Sequence, residues 1–162
     1  LLEALAPLFQ ANPALKATFV GGELARLDGY RSWVKAQGLE GRIVFTGPLG
    51  TDEVVKHMQT HDVLMLNSRR ENFPCVIAEA WACGIPVMST DVGGIREHLP
   101  PGLSERGFLL PAEAGEAEWR EAWMQVSQTT WPEKSLRTYA ETHFSMAAVG
   151  AAYKEVYLDL LG

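Results

Sequence analysis

The chain has 162 residues, 47% of them hydrophobic and 21% charged, with a formal net charge of −6 and a pI of about 5.2. That composition fits one soluble globular domain with a full hydrophobic core, and the acidic balance excludes a general nucleic-acid binder, which needs a basic face. No apolar run approaches the ~18 residues of a membrane span, and the opening decapeptide carries Glu3 without the basic lead of a signal peptide.

Leu1 to Ala11 has apolar residues at helical spacing and is stopped by Asn12-Pro13. The chain thus opens inside an amphipathic helix, as expected of a piece cut from something larger. Ala17 to Val20 reads as a strand ending at Gly21-Gly22. Leu24 to Gln37 reads as a helix closed by Gly38. Arg42 to Thr46 is a strand turned by Gly47-Pro48, and Asp52 to Thr60 a helix with Thr51 as its N-cap. Asp62 to Leu66 is a continuous apolar run, as expected of a parallel strand buried on both faces. Pro74 to Cys83 is a helix, Val87 to Ser89 a strand, and a short helix follows Gly93-Gly94 through Leu99. Gly107 to Leu110 is the last predicted strand. From about 116 to 162 the chain is helical, in two or three pieces broken near Pro132 and Ser145. Strands alternating with helices predict an α/β, Rossmann-like parallel sheet with helices on both faces, in a single domain. Ligands of such sheets bind beyond the strand C-termini, where both Asn67–Phe73 and Gly47–Leu49 fall.

The densest information lies in Glu71–Gly94, ENFPCVIAEAWACGIPVMSTDVGG. Glu71 and Glu79 are separated by seven residues, on either side of Pro74, with a Gly84-Ile85-Pro86 stop beyond. Pro74 fits a first helical turn and Phe73 the N-cap before it, which leaves the amides of Cys75, Val76 and Ile77 free. Such amides and the positive dipole end attract phosphate. Glu79, roughly 8 Å further along the helix, is placed to accept bonds from sugar hydroxyls. The set reads as a receptor for a nucleotide diphosphate sugar. The two cysteines, on one helix and roughly 12 Å apart, cannot form a disulfide, and reduced thiols predict a cytoplasmic location.

The whole block resembles the signature of retaining glycosyltransferases of family 4, which have the GT-B fold. The features that carry the likeness are Glu71, Glu79, Ala80, Ala82, Gly84, Pro86, Val87, Gly93 and Gly94. It extends upstream to Val20-Gly21-Gly22-Glu23 and Phe45-Thr46-Gly47, and downstream to Gly107-Phe108-Leu109. The resemblance implies that this is the C-terminal, donor-binding half of a GT-B enzyme. Glu71 would be the catalytic glutamate that contacts the transferred sugar, and Glu79 would bind the ribose hydroxyls. Asn72 and Phe73 would place backbone amides on the sugar, Val76 and Ile77 would face the diphosphate, and Gly47 to Leu49 would frame the base. The donor would be a UDP- or GDP-sugar, with no metal and no further cofactor. Transfer to a glycan or lipid acceptor, in polysaccharide or glycolipid synthesis, would need the family's N-terminal domain. That domain is also the expected route of any peripheral membrane docking.

The family holds the donor phosphates with an Arg and a Lys after a first strand, which would precede Leu1. That strand is central in the order 3-2-1-4-5-6, so a gap is expected in the sheet, closed by its neighbours, by the missing part, or by a second chain in an oligomer. No transfer by the 162 residues alone is expected. Two other functions fit the fold: a non-catalytic nucleotide-sugar-binding module and a GT-B nucleotide-sugar epimerase. Simpler roles also exist for single residues. Glu79 could be a structural acid paired to Arg69 or Arg70, and Glu71 a solvated loop charge. Arg69 is expected to anchor the loop and Gly93-Gly94 to make a turn into a helix. His57 and His61 read as a polar helix face, and Trp119 and Trp123 as packing. The resemblance implies that the last helices cross back to brace the N-terminal domain, so exposed apolar surface is expected on Glu133 to Leu161.

Overall fold

A computed structural model describes residues 1–161. The elements in chain order are α1 (Leu2–Ala11), β1 (Ala17–Val20), α2 (Leu24–Ala36), β2 (Ile43–Gly47), α3 (Thr51–Gln59), β3 (Leu64–Leu66), α4 (Cys75–Cys83) and β4 (Val87–Thr90). A 3-10 turn (Ile95–Glu97) leads to β5 (Gly102–Ser104), β6 (Gly107–Leu110), α5 (Glu116–Gln128), α6 (Glu133–Phe144) and α7 (Met146–Leu161).

The sheet is built as expected for an α/β fold, in two pieces. β1 pairs with β2 in parallel, and β3, β4 and β6 run parallel in the order β3-β4-β6-β5. β5 is an antiparallel edge strand that the sequence reading did not contain. Three residues after Pro100-Pro101 are too few to show a period, so only pairing reveals them.

Side-chain alternation sends neighbouring residues to opposite faces. Val87 and Leu109 join Ile77, Trp81, Leu99 and Leu136 beneath α4 and α6, while Met88 and Leu110 join Trp119, Ala122 and Ala4 beneath α5 and α1. A third cluster of Leu5, Phe9, Val34, Leu39 and Ile43 supports β1 and β2. Helices therefore cover both faces. The packing read for the two tryptophans holds: Trp119 is buried and Trp123 half-buried.

β3 departs from expectation. It begins at Leu64 rather than Asp62, and its three residues are only half-buried. The reason is the sheet break: β3 is hydrogen-bonded to β4 alone, and β1 to β2 alone. β1 is nevertheless its neighbour in space. His61 Nε2 lies 2.9 Å from Thr18 Oγ1, and Met65 packs against the cluster that Phe19 also borders. His61 is thus a tie between the two sheet pieces rather than part of a bare polar face.

Two helix starts shift by one residue. Gly50, not Thr51, caps α3, and the Glu53 carboxylate accepts its N–H at 3.2 Å. Pro74, with ψ at 120°, is the cap of α4 and not its first helical residue. At the other end Gly84 takes the left-handed conformation with φ of 81°, which a glycine adopts without the Cβ penalty and which stops the helix. At the C-terminus α7 has no buried residue, and Tyr153, Tyr157, Leu158 and Leu160 are exposed. Among the described residues no helix is long and apolar enough to cross a membrane.

Candidate functional site

The site is the loop between β3 and α4, with the start of α4 and the turn after β4. β3 and β4 are parallel and in register, so the loop leaving Leu66 lies beside the end of β4. Thr90, buried at that end, donates its hydroxyl to the Ser68 carbonyl at 2.7 Å. Ser68 Oγ in turn donates to Glu71 Oε1 at 2.6 Å. A half-buried carboxylate is thereby fixed to the sheet through two hydroxyls, while Arg69 and Arg70 between them are exposed. The alternative of a merely solvated loop charge does not describe Glu71, which is anchored.

The Gly93-Gly94 turn sits directly against this loop. Gly94 N–H donates to the Asn72 carbonyl at 2.6 Å. Gly93 has φ of +59°, and a Cβ there would lie 1.9 Å from the Glu71 carbonyl oxygen and 2.7 Å from that of Asn72. The glycine pair is more than a turn into a helix: at Gly93 the two backbones approach so closely that no side chain fits, and a Cβ on Gly94 would meet the Asn72 carbonyl at a tight 3.0 Å. Beside it, Asp91 and Arg96 form an ion pair, and the Arg96 guanidinium holds the Asp91 carboxyl below its usual range.

Phe73 is half-buried, its ring stacked on Phe144 and edge-on to His98. Burial above all, then the nearby His143 charge, push His98 below the usual histidine range; Glu97 pulls it up, and Arg106 adds the smallest lowering.

At the start of α4, the Ile77 N–H donates to the Pro74 carbonyl at 3.0 Å. Ile77 itself is fully buried. This corrects the expected set of free amides: among the described residues those of Cys75 and Val76 have no backbone acceptor, and Ile77 closes the first turn instead. The physical cause is the cap moving to Pro74, which puts Ile77 within reach of that carbonyl. The unpaired donors sit at the positive end of the helix dipole. Glu79 is exposed on the same helix. Among the described residues it forms no ion pair with Arg69 or Arg70. Its charge reaches Cys83, whose thiol is raised mainly by burial, lowered by Arg137 and raised further by Glu79. Cys75 is exposed at the helix start, and both thiols are free.

Glu71, Asn72, Phe73, Val76, Ile77 and Glu79 therefore share one loop–helix unit. Gly47 and Leu49 are not part of that unit: Gly47 ends β2, is buried and accepts the Gly21 N–H at 2.9 Å through its carbonyl, and Leu49 follows in the loop before α3. The residues that anchor the loop, Ser68, Thr90, His98 and Phe144, carry no signal in the sequence. Ser68 lies in the loop itself, and the other three are single residues at the end of β4, after the 3-10 turn and at the end of α6.

Comparison with known proteins follows the same lines. The family model for glycosyl transferases group 1 matches residues 1–128. The D-inositol 3-phosphate glycosyltransferase of Corynebacterium glutamicum (strain R) is 30% identical over 169 aligned positions, covering 99% of this chain and 40% of that protein. That of Rhodococcus opacus (strain B4) is 33% identical over 128 positions, 75% of this chain and 28% of that protein. The chain spans less than half the length of these relatives. Among solved structures, sucrose-phosphate synthase from Thermosynechococcus elongatus superposes with a TM-score of 0.75 at 22% identity, over 99% of this chain and 42% of that one. Anabaena Alr3699/HepE in complex with UDP-glucose gives 0.77 at 24% identity, over 98% and 44%. The α/β, Rossmann-like fold is the one found in these GT-B proteins.

Proposed function

The chain belongs to the glycosyl transferases group 1 family, and from that premise we propose that it is the donor-binding half of a retaining, family 4 glycosyltransferase acting on a nucleotide diphosphate sugar. The observation that carries this reading is the open start of α4. Two unpaired amides, of Cys75 and Val76, stand between an anchored carboxylate, Glu71, and an exposed one, Glu79.

In this reading the diphosphate lies on the Cys75 and Val76 amides, where the helix dipole favours negative charge. Glu79 accepts hydrogen bonds from the ribose hydroxyls. Glu71 contacts the transferred sugar, with the Asn72 and Phe73 backbone beside it, and Gly47 and Leu49 frame the base. Solved neighbours holding UDP or UDP-glucose favour uridine over guanosine. During transfer the bond from the anomeric carbon to the diphosphate oxygen breaks, and a bond to the acceptor oxygen forms on the same face. The acceptor proton passes to the departing phosphate. The basic residues for the phosphates and the acceptor site belong to the N-terminal part of the longer protein, and the acceptor is a glycan or lipid. The 162 residues alone therefore bind donor weakly and transfer nothing.

A thiol reagent tests the placement cheaply. Cys75 is exposed at the phosphate position, and Cys83 is half-buried with a raised pKa at the other end of the same helix. Maleimide should label Cys75 first, because the thiolate is the reacting form. Millimolar UDP should slow that labelling several-fold and leave Cys83 unchanged. Equal rates with and without UDP would remove the phosphate from the start of α4.

A further inference from the structure

Phe73 is gripped by side chains that donor recognition does not use. Its ring lies parallel to that of Phe144 at 5.1 Å between centroids and edge-on to His98 at 5.0 Å. His98 and Phe144 also meet each other at 4.7 Å. Behind them the cluster continues into the core. His98 Nδ1 lies 2.9 Å from the Tyr139 hydroxyl, and Arg106 donates from Nε to the His98 carbonyl at 2.7 Å. The Arg106 guanidinium sits 4.2 Å over the Tyr139 ring, and fully buried Trp81 donates to the Arg106 carbonyl at 3.0 Å. Phe144 is the last residue of α6. The C-terminal end of α6 is therefore joined through one aromatic pair to the loop that carries Glu71.

We propose that Phe144 and His98 are positioning residues that clamp Phe73 and so hold Glu71 and Asn72 where the transferred sugar is recognised. This rests on the donor-site reading above. Phe73 follows Glu71 and Asn72 directly and precedes the proline cap, which keeps its backbone extended, so a ring packed between Phe144 and His98 limits where that backbone can go. Offset aromatic pairs of this kind add attraction beyond their buried area. The other loop anchors are the bonds from Thr90 to Ser68 and from Gly94 to Asn72, the residue next to Phe73. Losing the clamp leaves the Glu71–Asn72 backbone to those bonds alone and loosens the Gly94 bond with it. The Cys75 and Val76 amides and Glu79 belong to α4, which is packed through Ile77, Ala80 and Trp81 and keeps its place.

The clamp thus predicts a split that simple loss of packing does not. In Phe144→Ala the Kd for UDP-glucose should rise roughly tenfold, an aromatic pair's worth of attraction, while the Kd for UDP stays within about twofold of wild type. Phe144→Tyr, which keeps the stacked ring, should restore wild-type binding of both, and His98→Ala should shift UDP-glucose alone, by less. Hydrogen exchange without any ligand reads the clamp separately: the Gly94 amide, donated to Asn72, should exchange faster in Phe144→Ala while core amides of β4 do not. Equal weakening of UDP and UDP-glucose, or an unchanged Gly94 exchange rate, would overturn the proposal. Failure of wild-type protein to bind either probe would instead sink the donor-site reading, and Gly94 exchange would still decide whether the clamp exists.

Discussion

Gly93→Ala is expected to remove nucleotide-sugar binding from a chain that still folds. At φ of +59° an added Cβ meets the Glu71 carbonyl oxygen at 1.9 Å and the Asn72 carbonyl at 2.7 Å. Neither oxygen belongs to a flexible side chain, and the Asn72 carbonyl is already held by the Gly94 N–H at 2.6 Å. The left-handed conformation alone costs alanine roughly 1–2 kcal/mol. Relief requires the Glu71–Asn72 backbone to move away from the turn, which breaks the Gly94 bond and pulls Glu71 from Ser68. Neither Glu71 nor Asn72 belongs to the clusters beneath α4, α5 and α1, although Phe73 packs against the first of them. The expected result is a Kd for UDP-glucose raised about 100-fold or more, equivalent to about 2.7 kcal/mol. A cooperative melt should persist, lowered by only a few degrees, since each kcal/mol moves Tm by about 2–4 °C in a domain of this size. Calorimetric titration paired with thermal melting measures both. Unchanged binding in Gly93→Ala would place the donor elsewhere.

Glu79→Ala has the second largest expected effect, and it falls on binding without touching stability. Glu79 is exposed and forms no ion pair among the described residues, so its removal leaves no partner stranded. Hydrogen bonds to a charged acceptor contribute about 1.5–3 kcal/mol each. Losing the ribose contacts should raise the Kd for UDP about 10–100-fold. The sugar hydroxyl supplies an internal control. Wild-type protein should bind 2′-deoxyuridine diphosphate more weakly than UDP, and Glu79→Ala should bind the two alike. Equal UDP binding by wild type and Glu79→Ala would make Glu79 a surface charge.

The parts of this fold that a sequence shows best are those where local chemistry and tertiary context agree. β1 and β6 fall at the residues read for them, because each is a short, largely apolar run bounded locally: Gly21 ends β1, and β6 opens at Gly107 and stops at Pro111. The three C-terminal helices break at Pro132 and Ser145 as read, since proline and serine end helices locally. Exposed apolar surface, which the resemblance implies for Glu133 to Leu161, is found on α7 at Tyr153, Val156, Tyr157 and Leu160, whereas α6 in the same stretch buries Leu136 and Ala140. What failed needed a neighbour. β3 reads as fully buried from its composition, and only the missing pairing with β1 explains its exposure. β5 exists because β6 offers an edge.

The site divides in the same way. Glu71, Pro74, Glu79 and Gly84 sit in one contiguous stretch, so their spacing could be read as a loop, a cap, a helix face and a stop. Which amides were free could not, because that turns on one residue of cap position: with Pro74 as the cap, Ile77 bonds back to it. The hold on Glu71 was equally hidden. It combines Ser68, Thr90 and Gly93 with Phe73, and reaches His98 and Phe144, up to 71 positions along the chain from Phe73. Only the fold brings such residues together.

The most direct measurement of the central claim is the map of backbone amide shifts in labelled protein titrated with UDP-glucose. The donor-site account predicts that the largest changes fall on Cys75 and Val76, with smaller ones on Glu71 to Phe73 and around Gly47, and that Ile77, already bonded to Pro74, moves little. Saturable shifts clustered on another face, with Cys75 and Val76 unmoved, would contradict it.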